Sequence, residues 1–168
     1  MAELGEVGYG AFTIESVAAR AGVGKSTIYR HYHDRVTLIA AAFQTLHTAA
    51  APALRLDQGS VRERVGRILR HMADVVVSSA FSRSIPALID AAERDPDLRA
   101  FHHGFQAAAR RPLVELLAAG RAAGELPARL DPELAAQALL GAIFFRRLMT
   151  AAPLAPEEVA RLLETVLG

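Results

Sequence analysis

The sequence predicts an all-helical protein, a short N-terminal helix-turn-helix followed by a larger helical bundle, and three observations carry that prediction. Apolar residues recur at i, i+3, i+4 and i+7 in one segment after another. Helix-opening and helix-closing residues stand at the ends of those segments, among them Thr13, Gly22, Ser60, Gly124 and Asp131. No convincing strand, internal repeat or low-complexity tract interrupts the pattern.

The first well-marked helix is opened by Thr13 and presents Ile14, Val17, Ala18 and Ala21 on one face. Gly22 closes it, because glycine tolerates the left-handed conformation that ends a helix, and Val23 is expected to tuck back as an apolar plug. A second, shorter helix runs from about Lys25 to Tyr32, with Ile28 and Tyr32 on its buried side. Its other side carries Lys25, Ser26, Thr27, Arg30 and His31, with Tyr29 on the flank.

Asp34 caps the next helix, striped by Leu38, Ile39, Ala42, Phe43 and Leu46. Residues 49–59, with Pro52 and Gly59, mark the boundary between an N-terminal domain at 1–48 and a body at 49–168. Ser60 and Glu63 form a capping box ahead of a long amphipathic helix that ends near Ser78 and Ser79. A shorter helix follows from about Ser84 to Arg94, and Asp95-Pro96 starts a long one in which Pro112 predicts a kink near Arg110. Asp131-Pro132-Glu133 opens a helix that is apolar nearly all the way round, from Leu134 to Met149, so no side of it suits water. Pro156 begins the last helix, whose Val159, Leu162, Leu163, Val166 and Leu167 exceed one narrow stripe.

Composition narrows the class. A chain of 168 residues with 52% hydrophobic and 22% charged residues is a core-forming globular protein. The absence of cysteine excludes disulfides, thiolate metal sites and a cysteine nucleophile. With no basic, greasy leader and no apolar window of membrane length, the expected setting is the cytoplasm, with no membrane partner. The net charge is only +1, yet Arg20, Lys25, Arg30 and Arg35 lie within one short run against Asp34 alone. Phosphates are the natural counterpart of such a patch, and a short helix carrying hydroxyls and cations can place side chains on base edges in the major groove. The same letters G-V-G-K-S-T resemble the end of a phosphate-binding loop. That pattern, however, requires a glycine where Ala19 stands and a strand upstream where the spacing is helical.

The run from Gly8 to Ile39, with A-G-V at 21–23, T-I-Y at 27–29, H-Y at 31–32 and Arg35, resembles the DNA-binding domain of the tetracycline-repressor (TetR) family of bacterial transcriptional regulators. The resemblance covers about residues 4 to 46 and implies that Thr13, Tyr29 and Arg35 hold the phosphate backbone. Lys25, Ser26, Thr27 and His31 would then face bases or nearby phosphates, with Arg30 completing the basic edge. The family has a full first helix before the G-Y, whereas here only Met1 to Glu6 precede it, which predicts a shortened helix and a loosened domain. The G-E-L-P and L-L-G-A-I-F-F-R-R-L runs resemble the C-terminal domain of one of its subgroups.

That resemblance, and two C-terminal helices with more apolar surface than one small body hides, imply a homodimer on a palindromic duplex. The interface is expected at Leu139, Ile143, Arg147, Leu162, Leu163 and Val166. A pocket for a small apolar or amphipathic effector is expected among the middle helices, lined by His71, Met72, Val75, Phe81, Leu88, Phe101, His102, Phe105 and Phe144. Effector binding would release a repressor. No cofactor, metal or catalytic function is expected: adjacent His102 and His103 point about 100° apart on a helix, and Asp90, Glu93 and Asp95 read as a solvated acidic edge. A helical ligand-binding protein with a vestigial reader is the principal alternative.

Overall fold

The computed structural model describes residues 1–50, 56–150, 152 and 154–168, and among these every regular element is helical. In chain order the elements are α1 (Ala2–Ala11), α2 (Ile14–Ala21), α3 (Lys25–His31), α4 (Arg35–Ala50), α5 (Val61–Ser78), α6 (Ala80–Arg94), α7 (Pro96–Ala122), α8 (Pro132–Phe145), a π-helical turn (Arg146–Thr150) and α9 (Pro156–Leu167). No single helix among the described residues is long and apolar enough to cross a membrane.

The expected caps form. The Ser16 amide donates to Thr13 Oγ1 at 3.0 Å, the Thr37 amide to Asp34 Oδ1 at 2.8 Å, and the Glu133 amide to Asp131 Oδ1 at 2.9 Å. Ser60 and Glu63 exchange bonds reciprocally at the start of α5. Each such bond satisfies an amide that the first helical turn leaves unpaired. Two boundaries differ: α6 begins at Ala80, four residues ahead of expectation, with Pro86 inside it, and α8 ends at Phe145, the expected stretch to Met149 passing into the π-helical turn. α7 is a single helix with Pro112 inside it.

Packing groups the chain differently from a linear division at residue 48. One compact unit comprises Met1–Ala51 with Ala80–Phe105, the other Pro52–Ser79 with Gln106–Gly168. The first is held by the packing of α6 on α1 and α4, burying Leu4, Phe12, Ile39, Phe43, Ile85 and Leu88. The segment before Gly8 is helical and buries Leu4 completely. Pro52, placed by the sequence in the linker, lies outside the described residues. The second unit has its own core, with Val65 and Leu69 of α5, Leu117 of α7, Leu139 and Ile143 of α8, and Val159 and Leu163 of α9. Each of these side chains contributes roughly 1.5–3 kcal/mol by leaving water.

α8 has two apolar faces. Ala135, Ala136, Leu139 and Ile143 enter the core of the second unit. Leu134 (62% exposed), Phe145 (60%) and Met149 (71%) form a second stripe in the open, joined by exposed Ala138 and Gly141. The expectation that no side of this helix meets water therefore fails for the isolated chain.

Candidate nucleic-acid interface

Local sequence builds the turn that presents α3. Gly22 adopts φ 67°, ψ 27°, and the amides of Gly22 and Val23 return to the carbonyls of Ala19 and Ala18, so α2 ends abruptly. The plug expected at Val23 is absent: its side chain is 42% exposed, and Ala21 is exposed too. α3 then lies along the surface with no fully buried residue, anchored through half-buried Ile28 and Tyr32. Lys25, Ser26, Thr27, Tyr29, Arg30 and His31 are all exposed, as the spacing requires.

Charge at this edge is narrower than the sequence suggests. Arg20 is paired, its Nη1 donating to Glu3 at 3.0 Å and its Nη2 to Glu6 at 2.7 Å, with a further Nη1 bond to Glu6. It ties α2 to α1 and does not belong to the free basic patch. Arg35 is shared as well, with its guanidinium 4.1 Å from the Tyr9 ring centroid and its Nη2 4.0 Å from Asp95 Oδ2. Among the described residues Lys25 and Arg30 have no carboxylate partner, so they carry the open positive charge.

Hydroxyl chemistry separates Thr13 from Tyr29. Thr13 Oγ1 accepts the Ser16 amide, which leaves its own proton for an incoming acceptor. Tyr29 donates its single proton to Glu15 Oε1 at 3.2 Å, and that bond to a carboxylate raises its pKa. Tyr29 can reach a phosphate as a donor only by leaving Glu15.

Asp95 corrects the reading of a solvated acidic edge. Its Oδ1 accepts the amides of Asp97 at 3.0 Å and Leu98 at 3.3 Å, and its Oδ2 accepts the Tyr9 hydroxyl. The Tyr9 bond, followed by the two amides and Arg35, holds the carboxyl below the usual range against a smaller burial effect. Burial and the same hydrogen bond push Tyr9 up to about 12. Asp90 does sit at the surface, paired with Arg94 at 3.0 Å.

The residues expected around an effector divide between the two units. In the first, Leu88 is 1% exposed. Half-buried Phe101 and Phe105 meet Phe43 at 6.3 and 5.0 Å between ring centroids, His47 stands 4.7 Å from Phe105, and His102 is half-buried. The Phe81 side chain lies outside the described residues. In the second unit His71, Met72, Val75 and Phe144 are half-buried, Met72 and Phe144 against the core. A groove of about 560 Å³ in the first unit is lined, among the described residues, by Ala2, Gly5, Ala42, Leu46, Arg83, Ser84 and others, and by none of the eight described members of the expected set.

The residues expected at a subunit interface differ in exposure. Leu139, Ile143 and Leu163 are already buried in their own unit, and Arg147 is half-buried with its Nε donating to the Val76 carbonyl at 3.2 Å. Leu162 and Val166 stay half-exposed. Among the described residues of α8 and the turn after it, Leu134, Phe145 and Met149 are the exposed large apolar side chains, a stripe the sequence did not single out because α8 is apolar nearly all the way round.

Comparison with known proteins agrees with this geometry. Residues 1–42 match a family model described as bacterial regulatory proteins, tetR family, and residues 55–166 match one described as a tetracyclin repressor-like C-terminal domain. The chain is 31% identical over 148 residues to YdeS of Bacillus subtilis (strain 168), described as an uncharacterized HTH-type transcriptional regulator, covering 86% of this chain and 72% of that protein. A transcriptional regulator of Pseudomonas aeruginosa PAO1 superposes with a TM-score of 0.79 at 22% identity, covering 98% of this chain and 82% of that one. FadR from Bacillus subtilis, solved in complex with stearoyl-CoA, gives 0.77 at 17%, covering 99% and 93%. At those identities the two structures establish a shared fold.

Proposed function

Because the chain belongs to the tetR family of bacterial regulatory proteins, a family of transcriptional regulators, we propose that it is a homodimeric repressor that leaves a palindromic operator when a small apolar or amphipathic molecule binds. Residues 1–48 are its DNA reader and 49–168 its effector-binding and dimerising body. The observation that carries this reading is the edge of α3, where Lys25 and Arg30 lie open without a carboxylate partner among the described residues, beside exposed Ser26, Thr27 and His31. Thr13, Tyr29 and Arg35 hold phosphates on either side, and the α3 side chains reach base edges or adjacent phosphates.

A second copy covers the Leu134, Phe145, Met149 stripe, with Leu162 and Val166 at its border. Apolar side chains that far out of the core are otherwise a solubility cost. Dimerisation also brings two short α3 helices to half-sites about one helical turn apart, which one copy alone cannot do. The stearoyl-CoA found with the similar FadR structure supports an acyl-bearing effector as the first class to try.

Selecting duplexes from a randomised pool and reading the enriched sequence tests this directly. The expected outcome is an inverted repeat bound with strong salt dependence and released by one of a panel of acyl-coenzyme A thioesters. Saturable ligand binding with no enriched duplex at low salt would instead establish the helical ligand-binding alternative.

A further inference from the structure

Three segments of the first unit meet on one carboxylate. Tyr9 at the end of α1 is 3% exposed and donates its hydroxyl to Asp95 Oδ2. Arg35, the first residue of α4, lays its guanidinium against the Tyr9 ring and brings Nη2 to 4.0 Å from the same oxygen. The other oxygen of Asp95 caps the first turn of α7. Asp95 is thus fixed by α7 on one side and engages α1 and α4 on the other, while the Arg35 side chain remains 44% exposed.

We propose that Asp95 is a positioning residue for DNA binding: its carboxylate competes with a duplex phosphate for the Arg35 guanidinium, so the first turn of α7 sets how freely Arg35 reaches DNA. This rests on the reading of Arg35 as a phosphate ligand given above. At 4.0 Å the ion pair is long and has not closed into the two parallel bonds that a guanidinium makes with a carboxylate or a phosphate. The Tyr9 proton occupies part of the acceptor capacity of Oδ2 and weakens its hold on Arg35. The stacked ring keeps the guanidinium in place, and the Tyr9 hydroxyl oxygen engages the same cation. Arg35 is therefore held ready, not locked. A negative charge beside the cation also opposes an approaching phosphate. Because Asp95 caps α7, a shift of that first turn moves the carboxylate and changes the competition. By linkage, DNA binding then biases α7 in return.

Affinity for a mixed-sequence duplex at low salt, measured with the full chain, tests the proposal, because phosphate contacts do not depend on sequence. Asp95→Asn keeps the oxygen that caps α7 and removes the charge, so binding should tighten roughly two- to five-fold, the scale of a partly exposed ion pair. The gain should vanish in the Arg35→Gln background, where there is nothing to release. Tyr9→Phe leaves Oδ2 to Arg35 alone and should weaken binding by a similar factor, a change of opposite sign that general loosening of the domain would not produce alongside the first. Arg35→Gln alone should weaken binding and lower the slope of log K against log salt by about one per subunit. If Arg35→Gln weakens binding but Asp95→Asn acts equally with and without Arg35, the competition is overturned and the phosphate contact stands. If Arg35→Gln changes neither affinity nor slope, the phosphate reading fails, and the competition with it. Circular dichroism on each variant, expected to match the parent, separates unfolding from either result.

Discussion

Tyr29 and Thr13 illustrate how much depends on where a single proton goes. Tyr29→Phe loses a bond to Glu15 in the free protein and, on our reading, one to phosphate in the complex. Its duplex affinity should fall two- to ten-fold, the range expected for about 0.5–1.5 kcal/mol of net hydrogen bonding, with folding stability hardly changed. Thr13→Ala removes the α2 cap and should cost about 1 kcal/mol in urea denaturation besides weakening DNA binding. Lys25→Ala and Arg30→Ala should leave stability alone and each lower the salt slope, readable by titrating the duplex at several salt concentrations. The caps were legible in the sequence because donor and acceptor lie within four residues. The partners of Arg20 and Arg35 were not: Glu3, Glu6 and Asp95 lie 14 or more residues away, and only folding brings them near.

Helices depend on spacing and stop signals for their existence, and on neighbours for their phase. α6 starts at Ala80, earlier than the expected Ser84, so that Pro86 falls inside it and the buried Ser82 and Ser84 belong to its first turns. The crossing of α5 and α7 makes a sharper demand. A Cβ added at Gly120 would stand 2.7 Å from Val61 Cγ2, in a core position where Val61 is 1% exposed. Gly120→Ala should therefore destabilise by about 1–3 kcal/mol despite the better helix propensity of alanine. Adding Val61→Ala should recover part of that loss, as thermal melts of the single and double variants would show.

For the whole molecule, the decisive quantity is apolar surface left over after each unit has closed its own core. On the proposed dimeric reading, Phe145→Glu with Met149→Glu should yield monomers in sedimentation where the parent sediments as a dimer, with helix content persisting, and weaken palindrome binding in step. Acid should act on the first unit through His47 and His102, both lowered by burial, the latter also by His103. A histidine whose folded pKa lies below its ordinary value of 6.5 binds protons more readily when unfolded. Its stabilising contribution is complete above that value and is lost as pH falls through the folded pKa. Urea midpoints should therefore drop as pH falls below the ordinary histidine value of 6.5, and His47→Gln with His102→Gln should flatten that drop.

Sequence by itself determined the helical class, the turn around Gly22, most helix boundaries and the exposed face of α3, because each rests on contacts among residues close along the chain. Tertiary structure decided the rest: which cations stay open, which phase of α8 enters the core, and that Asp95 caps α7 while engaging Tyr9 and Arg35. Those outcomes depend on distances between segments far apart in the chain, and neither residue type nor spacing encodes a distance until burial has brought the segments together.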